Sequence, residues 1–212
     1  MQLPSAPDHC VGTDLSHLRE DAASCRRCPL WRNATQTVFG EGPASARMML
    51  VGEQPGDRED LAGRPFIGPA GQILDQALEA AGIDRATVYI TNAVKHFKNE
   101  PRGKRRLHKK PDASEIEACR WWLDQEIALV RPRLTVALGA TAAGALMRRP
   151  VTIGRVRGQA IESESGHLWI TVHPSYLLRL PDEASRQREF VRFVKDLEGA
   201  KALLASRGKR TS

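Results

Sequence analysis

Four short apolar runs punctuate the chain, at 47–51, 88–92, 134–138 and 168–172. Apolar positions at helical spacing lie between and after them, over 71–81, 114–130, 140–147 and 183–206, with a further helix-like stretch over 14–23. Short apolar strands alternating with helices predict a parallel sheet covered on both faces. The expected fold is therefore α/β: a three-layer sandwich with a four-stranded, mostly parallel sheet flanked by helices. The runs are followed by Gly-Glu-Gln-Pro-Gly, Ala-Val-Lys-His, Gly-Ala-Thr and His-Pro-Ser. Ligands of open parallel sheets bind beyond the carboxyl ends of the strands, so all four segments become candidates to line one site.

One stretch breaks the pattern. Residues 97–112 have no apolar periodicity, contain Pro101, Gly103 and Pro111, and hold seven Lys or Arg residues. A loop of this length in a compact domain is usually functional or disordered. The reading is a single domain over 14–206 with a basic loop at 97–112, a flexible lead-in over 1–13 and a frayed tail over 207–212. The length of 212 residues suits such a domain.

Composition adds little beyond a partner class. Hydrophobic residues at 41% and charged residues at 27% are an ordinary globular balance. No apolar run is long enough for a membrane span, and residues 1–9 lack a secretory pattern, so a cytosolic protein without membrane association is expected. The formal net charge of +7 favours an anionic partner, and nucleic acid is the commonest large one.

Individual residues then suggest chemistry. Glu53 stands in a tight Gly/Pro turn after the first run, where glycines let a ligand approach the backbone; a turn with solvated acids is the plainer reading. Phe66, between Pro65 and Gly68, is an aromatic in a loop, suited to stacking on a planar base or to plugging a small core. Cys25 and Cys28 form a Cys-x-x-Cys pair with no thioredoxin-like strand before it, which favours metal ligation over redox catalysis. Cys10 reads as a free thiol. Trp121 and Trp122 share helical spacing with Leu123 and Ile127, which assigns them to packing.

Taken in order, Gly-Glu-x-Pro-Gly, Gly-Arg-Pro-Phe-x-Gly-x-Ala-Gly, Thr-Asn-x-Val-Lys and His-Pro-Ser resemble the blocks of the family 4 uracil-DNA glycosylases and their UdgX relatives. The resemblance runs from about Cys25 to Leu197. It implies that Phe66 stacks on uracil and that Asn92 reads its Watson–Crick edge. It implies also that His173 hydrogen-bonds uracil O2, while Gly52, Glu53, Gln54 and Asp57 line the pocket mouth. Family 4 members usually carry a small residue where Gln54 stands, a departure that points to the UdgX branch. So does Gly103-Lys-Arg-Arg-Leu-His108, which resembles that branch's Lys-Arg-Arg-Ile-His insertion with Leu107 in place of Ile.

By that resemblance, His108 attacks deoxyribose C1′ after uracil departs, and Glu53 accepts its N–H. Lys104, Arg105, Arg106 and Ser175 hold flanking phosphates. The cysteine that family 4 places after Thr-Asn-x-Val-Lys is His96 here. The resemblance thus implies a [4Fe–4S] cluster on Cys25, Cys28, His96 and Cys119, the last near a helix start. Three Cys and one His suit structural zinc equally by spacing. The implied substrate is uracil-containing DNA, single-stranded, and the implied state a monomer. The leading expectation is excision of uracil followed by covalent capture through His108. A turnover glycosylase with water activated by Glu53 or Asp57, and a metal-stabilised binding module without chemistry, are the alternatives.

Overall fold

The computed structural model describes residues 14–103, 105–163 and 166–206. The expected lead-in with Cys10, the tail and Lys104 lie outside the described residues. The elements follow in chain order: α1 (Leu15–Ala23), β1 (Met48–Gly52), α2 (Asp57–Ala62), α3 (Pro69–Ala80), β2 (Val88–Asn92), β3 (Asn99–Arg102), β4 (Arg105–His108) and α4 (Ala113–Val130). After them come β5 (Leu134–Leu138), α5 (Ala140–Met147), α6 (Ile153–Val156), β6 (Ala160–Ser163), β7 (Gly166–Thr171), α7 (Ser175–Leu178) and α8 (Glu183–Ser206).

The four apolar runs all form strands, and they lie side by side in the order β2-β1-β5-β7, parallel throughout. Every residue of β1, β2 and β5 is buried, as expected of strands covered on both faces. Met48 and Leu50 pack into one layer with Leu74 of α3 and Phe193 and Leu197 of α8. Met49 and Val51 face the opposite layer, against Leu123 of α4 and Ala142 of α5. That alternation within one strand makes the three layers. A third apolar cluster joins α1 to α4 and contains Cys25, Cys28 and Cys119.

The expected four strands are corrected to five in the main sheet. The addition is β6, which pairs antiparallel with β7 at the sheet edge. Its Ala-Ile-Glu-Ser sequence is largely exposed and carries no apolar run, so periodicity had nothing to report. The basic loop is corrected as well. Its middle is an antiparallel hairpin, β3 with β4, in register Asn99 to His108 and Arg102 to Arg105. Gly103 turns the chain with φ +59°, a conformation that suits glycine. The hairpin residues are mostly exposed and polar, so backbone pairing and side-chain ties hold it rather than a core face.

Candidate active site

The carboxyl ends of β1, β2, β5 and β7 open on one cleft of about 1420 Å³, lined by Glu53, Asn92, Gly139 and His173 among others. Gly52 ends β1 because nothing larger fits: a Cβ there would run into Asn92 Oδ1 and stand 2.5 Å from Phe66 Cζ. Phe66 adopts φ +55°, an unfavourable backbone for an aromatic, and is 5% exposed. The start of α3 enforces this, since Gly71 leaves no room for a Cβ against the Phe66 carbonyl. The Phe66 ring lies 5.8 Å from that of His173, tilted by 31°. Phe66 thus lines the cleft and belongs to the core at once.

Two polar atoms at the floor have no hydrogen-bond partner among the described residues: Asn92 Oδ1 and His173 Nε2. The His173 tautomer follows from its surroundings. The Ser175 main-chain N–H donates to Nδ1 at 3.2 Å, so Nδ1 accepts and the proton sits on Nε2. Burial, with the nearby Arg179 charge and His108, pushes the imidazole down to about 4, leaving it neutral at pH 7. Buried groups left unpaired cost about 1–3 kcal/mol each, a cost that a ligand offering an N–H to Asn92 and an acceptor to His173 would relieve. Ser175, expected at a phosphate, instead stands with Oγ 2.8 Å from His173 Nδ1.

The hairpin brings His108 to the mouth of the same cleft. Its fastening is Gln54, which is buried. The Lys98 N–H donates to Gln54 Oε1 at 3.1 Å, and Gln54 Nε2 donates to the Lys109 carbonyl at 2.9 Å. These main-chain partners fix which end of the amide is nitrogen. Gln54 Nε2 also lies 2.9 Å from His108 Nε2, so the imidazole nitrogen must be the acceptor and its proton sits on Nδ1. Glu53 Oε1 is 3.8 Å from His108 Nε2, too long for the expected hydrogen bond, while Glu53 Oε2 accepts from Thr141 Oγ1.

Arg106, expected at a phosphate, is held by acids of α2. Its guanidinium donates to Asp57 Oδ1 at 2.7 Å and to the fully buried Asp60, which accepts from the Thr35 N–H as well. It latches the hairpin onto α2, and Asp57, which lines the cleft as expected, takes part in the same latch. Arg105 is exposed, with no ion pair among the described residues.

The cysteines form a separate corner. Trp122 Nε1 donates to Cys25 Sγ at 3.1 Å, and the Lys95 N–H donates to Cys119 Sγ at 3.1 Å. Burial pushes the Cys119 thiol up to about 12 and raises Cys28. Cys119 lies inside α4 rather than at its start. His96 is buried, burial lowers its pKa, and Nδ1 has no partner among the described residues. No group of three or more His, Cys, Asp or Glu side chains is gathered for a single metal ion among the described residues. The orphaned His96 nitrogen and the three buried thiols are of the chemical types that a thiolate–imidazole metal group would need.

Comparison with known proteins sets this geometry in a family. Residues 39–198 match the model of the uracil DNA glycosylase superfamily. The chain belongs to that superfamily. It is 41% identical over 176 residues to the type-4 uracil-DNA glycosylase of Pyrobaculum aerophilum, covering 79% of this chain and 86% of that one. It is 41% identical over 192 residues to the type-4 uracil-DNA glycosylase of Thermotoga maritima, covering 89% and 94%. The type-5 uracil-DNA glycosylase of Pyrobaculum aerophilum is 31% identical over 176 residues, covering 75% and 74%. The superfamily match contains the whole cleft, the hairpin, His96 and Cys119, whereas Cys25 and Cys28 precede it.

Some residues here gain a role in this superfamily member that the sequence did not assign. Thr141, in the Gly-Ala-Thr segment already placed at the site, holds Glu53. Lys95 and Glu126 form a fully buried ion pair, joined by Tyr89, Thr91 and the Asn92 carbonyl, and so support Asn92 from behind. Nothing in the spacing of Lys95 and Glu126 announces that pairing. No described helix is long and apolar enough to cross a membrane.

Proposed function

We propose that the protein excises uracil from DNA and is then captured by its own product through a bond from His108 Nε2 to deoxyribose C1′. In this reading uracil stacks on Phe66, its N3–H meets Asn92 Oδ1, and its O2 meets the His173 Nε2–H. Cytosine has no N3–H to offer, so Asn92 discriminates against it. As the glycosidic bond breaks, its electron pair leaves with uracil, and neutral His173 stabilises the charge at O2 by hydrogen bonding. The sugar is left as an oxocarbenium ion. The Gln54 amide releases His108 Nε2, whose freed lone pair forms the new N–C1′ bond, and the imidazole gains the positive charge beside Glu53. The observation that carries this reading is the attachment of Gln54. Its amide, fixed by main-chain groups of the hairpin, requires an unprotonated Nε2 on a histidine at the mouth of the cleft.

Glu53, held by Thr141, also suits activation of a water, the route of a conventional turnover glycosylase. Denaturing electrophoresis separates the two. Mixed with single-stranded DNA containing one uracil, the wild type is expected to give a heat-stable shifted band that His108→Ala lacks. Abasic DNA without a shifted band would instead establish turnover. No product of either kind would leave a binding module.

Cys25, Cys28, His96 and Cys119 are the residues that would hold a [4Fe–4S] cluster, whose contribution would be structural, tying α1 to α4 and to the segment leading into the hairpin. The protein is read as a cytosolic monomer acting on single-stranded DNA.

A further inference from the structure

The cleft is larger than one base requires. Its volume of about 1420 Å³ exceeds the roughly 300–1,000 Å³ of an ordinary small-molecule pocket. Beyond His173 it continues along α8, where Arg157, Arg192 and Lys195 line it. The two acids there share Arg157, and four cations at that end of the cleft, Arg157, Arg179, Arg192 and Lys195, leave it net positive. Arg157 donates to Asp196 at 2.7 Å and to Glu189, and Asp196 accepts from Thr171 Oγ1 at 2.6 Å. This strut fixes α8 against the end of β7, two residues before His173.

The cations on the rim are differently placed. Lys195 is exposed and has no ion pair among the described residues, and the Arg192 side chain is 65% exposed with a single long bond of 3.3 Å to Glu189. Three residues apart on one helix, they share a face. Arg179, also exposed, lines the same cleft from the residue after α7, with one long bond of 3.3 Å to Ser175 Oγ. On the hairpin side more of the charge is paired: Arg106 is saturated by Asp57 and Asp60, Lys109 pairs with Glu100 at 2.6 Å, and Lys98 pairs with Asp112 and Glu115, while Arg105 is unpaired among the described residues but does not line the cleft. Exposed cations thus line both sides of the cleft, Arg58 and Lys110 on the side of α2 and the hairpin and three on the α7–α8 side, where Arg192 and Lys195 share one helix face.

We propose that the DNA strand on one side of the uridine runs along this rim, its phosphodiester groups held by Arg179, Arg192 and Lys195. The Arg157 strut positions α8 for them. The assignment rests on the uracil-DNA reading above but can fail separately from it.

The test uses a fluorescein-labelled thymidine oligonucleotide with one central 2′-fluoroarabino-uridine, whose fluorine disfavours the oxocarbenium ion and slows cleavage. A matching all-thymidine strand serves for comparison. Affinity is followed by anisotropy against salt for the wild type, for Arg192→Gln with Lys195→Gln, and for Arg131→Gln with Arg148→Gln. The last pair removes equal charge from residues that line none of this cleft. Each single-strand phosphate contact contributes about 0.7 to the slope of log K against log salt, so the rim pair is expected to lower the slope by about 1.4. Its binding near physiological salt should weaken about tenfold, with the control slope unmoved. A slope equal to the wild type's in the rim pair, or equal losses in both pairs, overturns the track. If uridine is still preferred over thymidine in that case, the glycosylase reading survives alone. If the slope falls but uridine is not preferred, the track stands and that reading falls.

Discussion

The floor of the cleft and the hairpin above it are built on different physics. Asn92, Phe66 and His173 sit at the ends of buried strands and against a helix start, with Leu50, Leu74 and Phe193 packed in the adjoining layer. Each such side chain contributes about 1.5–3 kcal/mol by burial. His108 rides on an exposed polar hairpin tied down by Gln54 and by Arg106, where a typical hydrogen bond nets about 0.5–1.5 kcal/mol. The chemistry assigned to the two parts divides along the same line: the floor binds and breaks, the hairpin captures. It should therefore be possible to lose capture while keeping excision.

The largest separation is expected from His108→Ala. The covalent band disappears completely on denaturing gels while uracil release persists, because no floor residue is touched. Loss of uracil release to the same extent would join the two regions into one machine. His173→Ala attacks the floor instead. Removing the donor at O2 should slow excision by about 10²–10³-fold in single-turnover assays, and capture should fall with it because capture waits on excision.

Acid should act on the floor by the same residue. The folded His173 pKa of about 4 lies below the ordinary histidine value of 6.5. Between those values the unfolded chain binds the proton and the folded protein does not. The His173 contribution to stability therefore falls as pH drops from 6.5 towards 4, and levels off below. The excision rate, tracking neutral His173, should fall about tenfold per pH unit only below about 4. A rate–pH profile with its acid limb near 6.5 would show that the imidazole is not sheltered.

The latch offers a finer cut. Arg106→Gln leaves Asp60 buried without its cation, which should cost about 2–3 kcal/mol of stability by thermal melting. It should slow capture about tenfold more than excision. Equal slowing of both steps would mean that the latch supports the floor as well.

The two regions also differ in how far they could be read from sequence. All four core strands and the helices α5 and α8 lie where apolar periodicity set them, because burial is what periodicity reports. Post-strand motifs pointed to Glu53, Thr141 and His173 at one cleft, and the family resemblance added Asn92, since a parallel sheet delivers the ends of its strands to one edge. The hairpin and β6 escaped, because exposed pairing leaves no apolar imprint. The roles of Arg106 and Gln54 escaped for a related reason: their partners, Asp60 and the Lys98 and Lys109 main chains, are distant in sequence and marked by no spacing rule.

The smallest expected effect sharpens the contrast most. Ser175 stands against His173 with both its hydroxyl and its main-chain N–H. If the tautomer is set by the main chain, Ser175→Ala keeps the N–H donor and the proton stays on Nε2. Excision should then slow by no more than about threefold, the scale of one neutral side-chain hydrogen bond. Gln54→Ala is the matched experiment on the hairpin, where side-chain atoms alone make the connection. It removes the bonds to Lys98, Lys109 and His108 together, and capture should slow by about tenfold or more. A Ser175→Ala loss confined to half-saturation would return that hydroxyl to a phosphate. A large loss in maximal rate would mean that the floor, like the hairpin, depends on a side chain to orient its histidine.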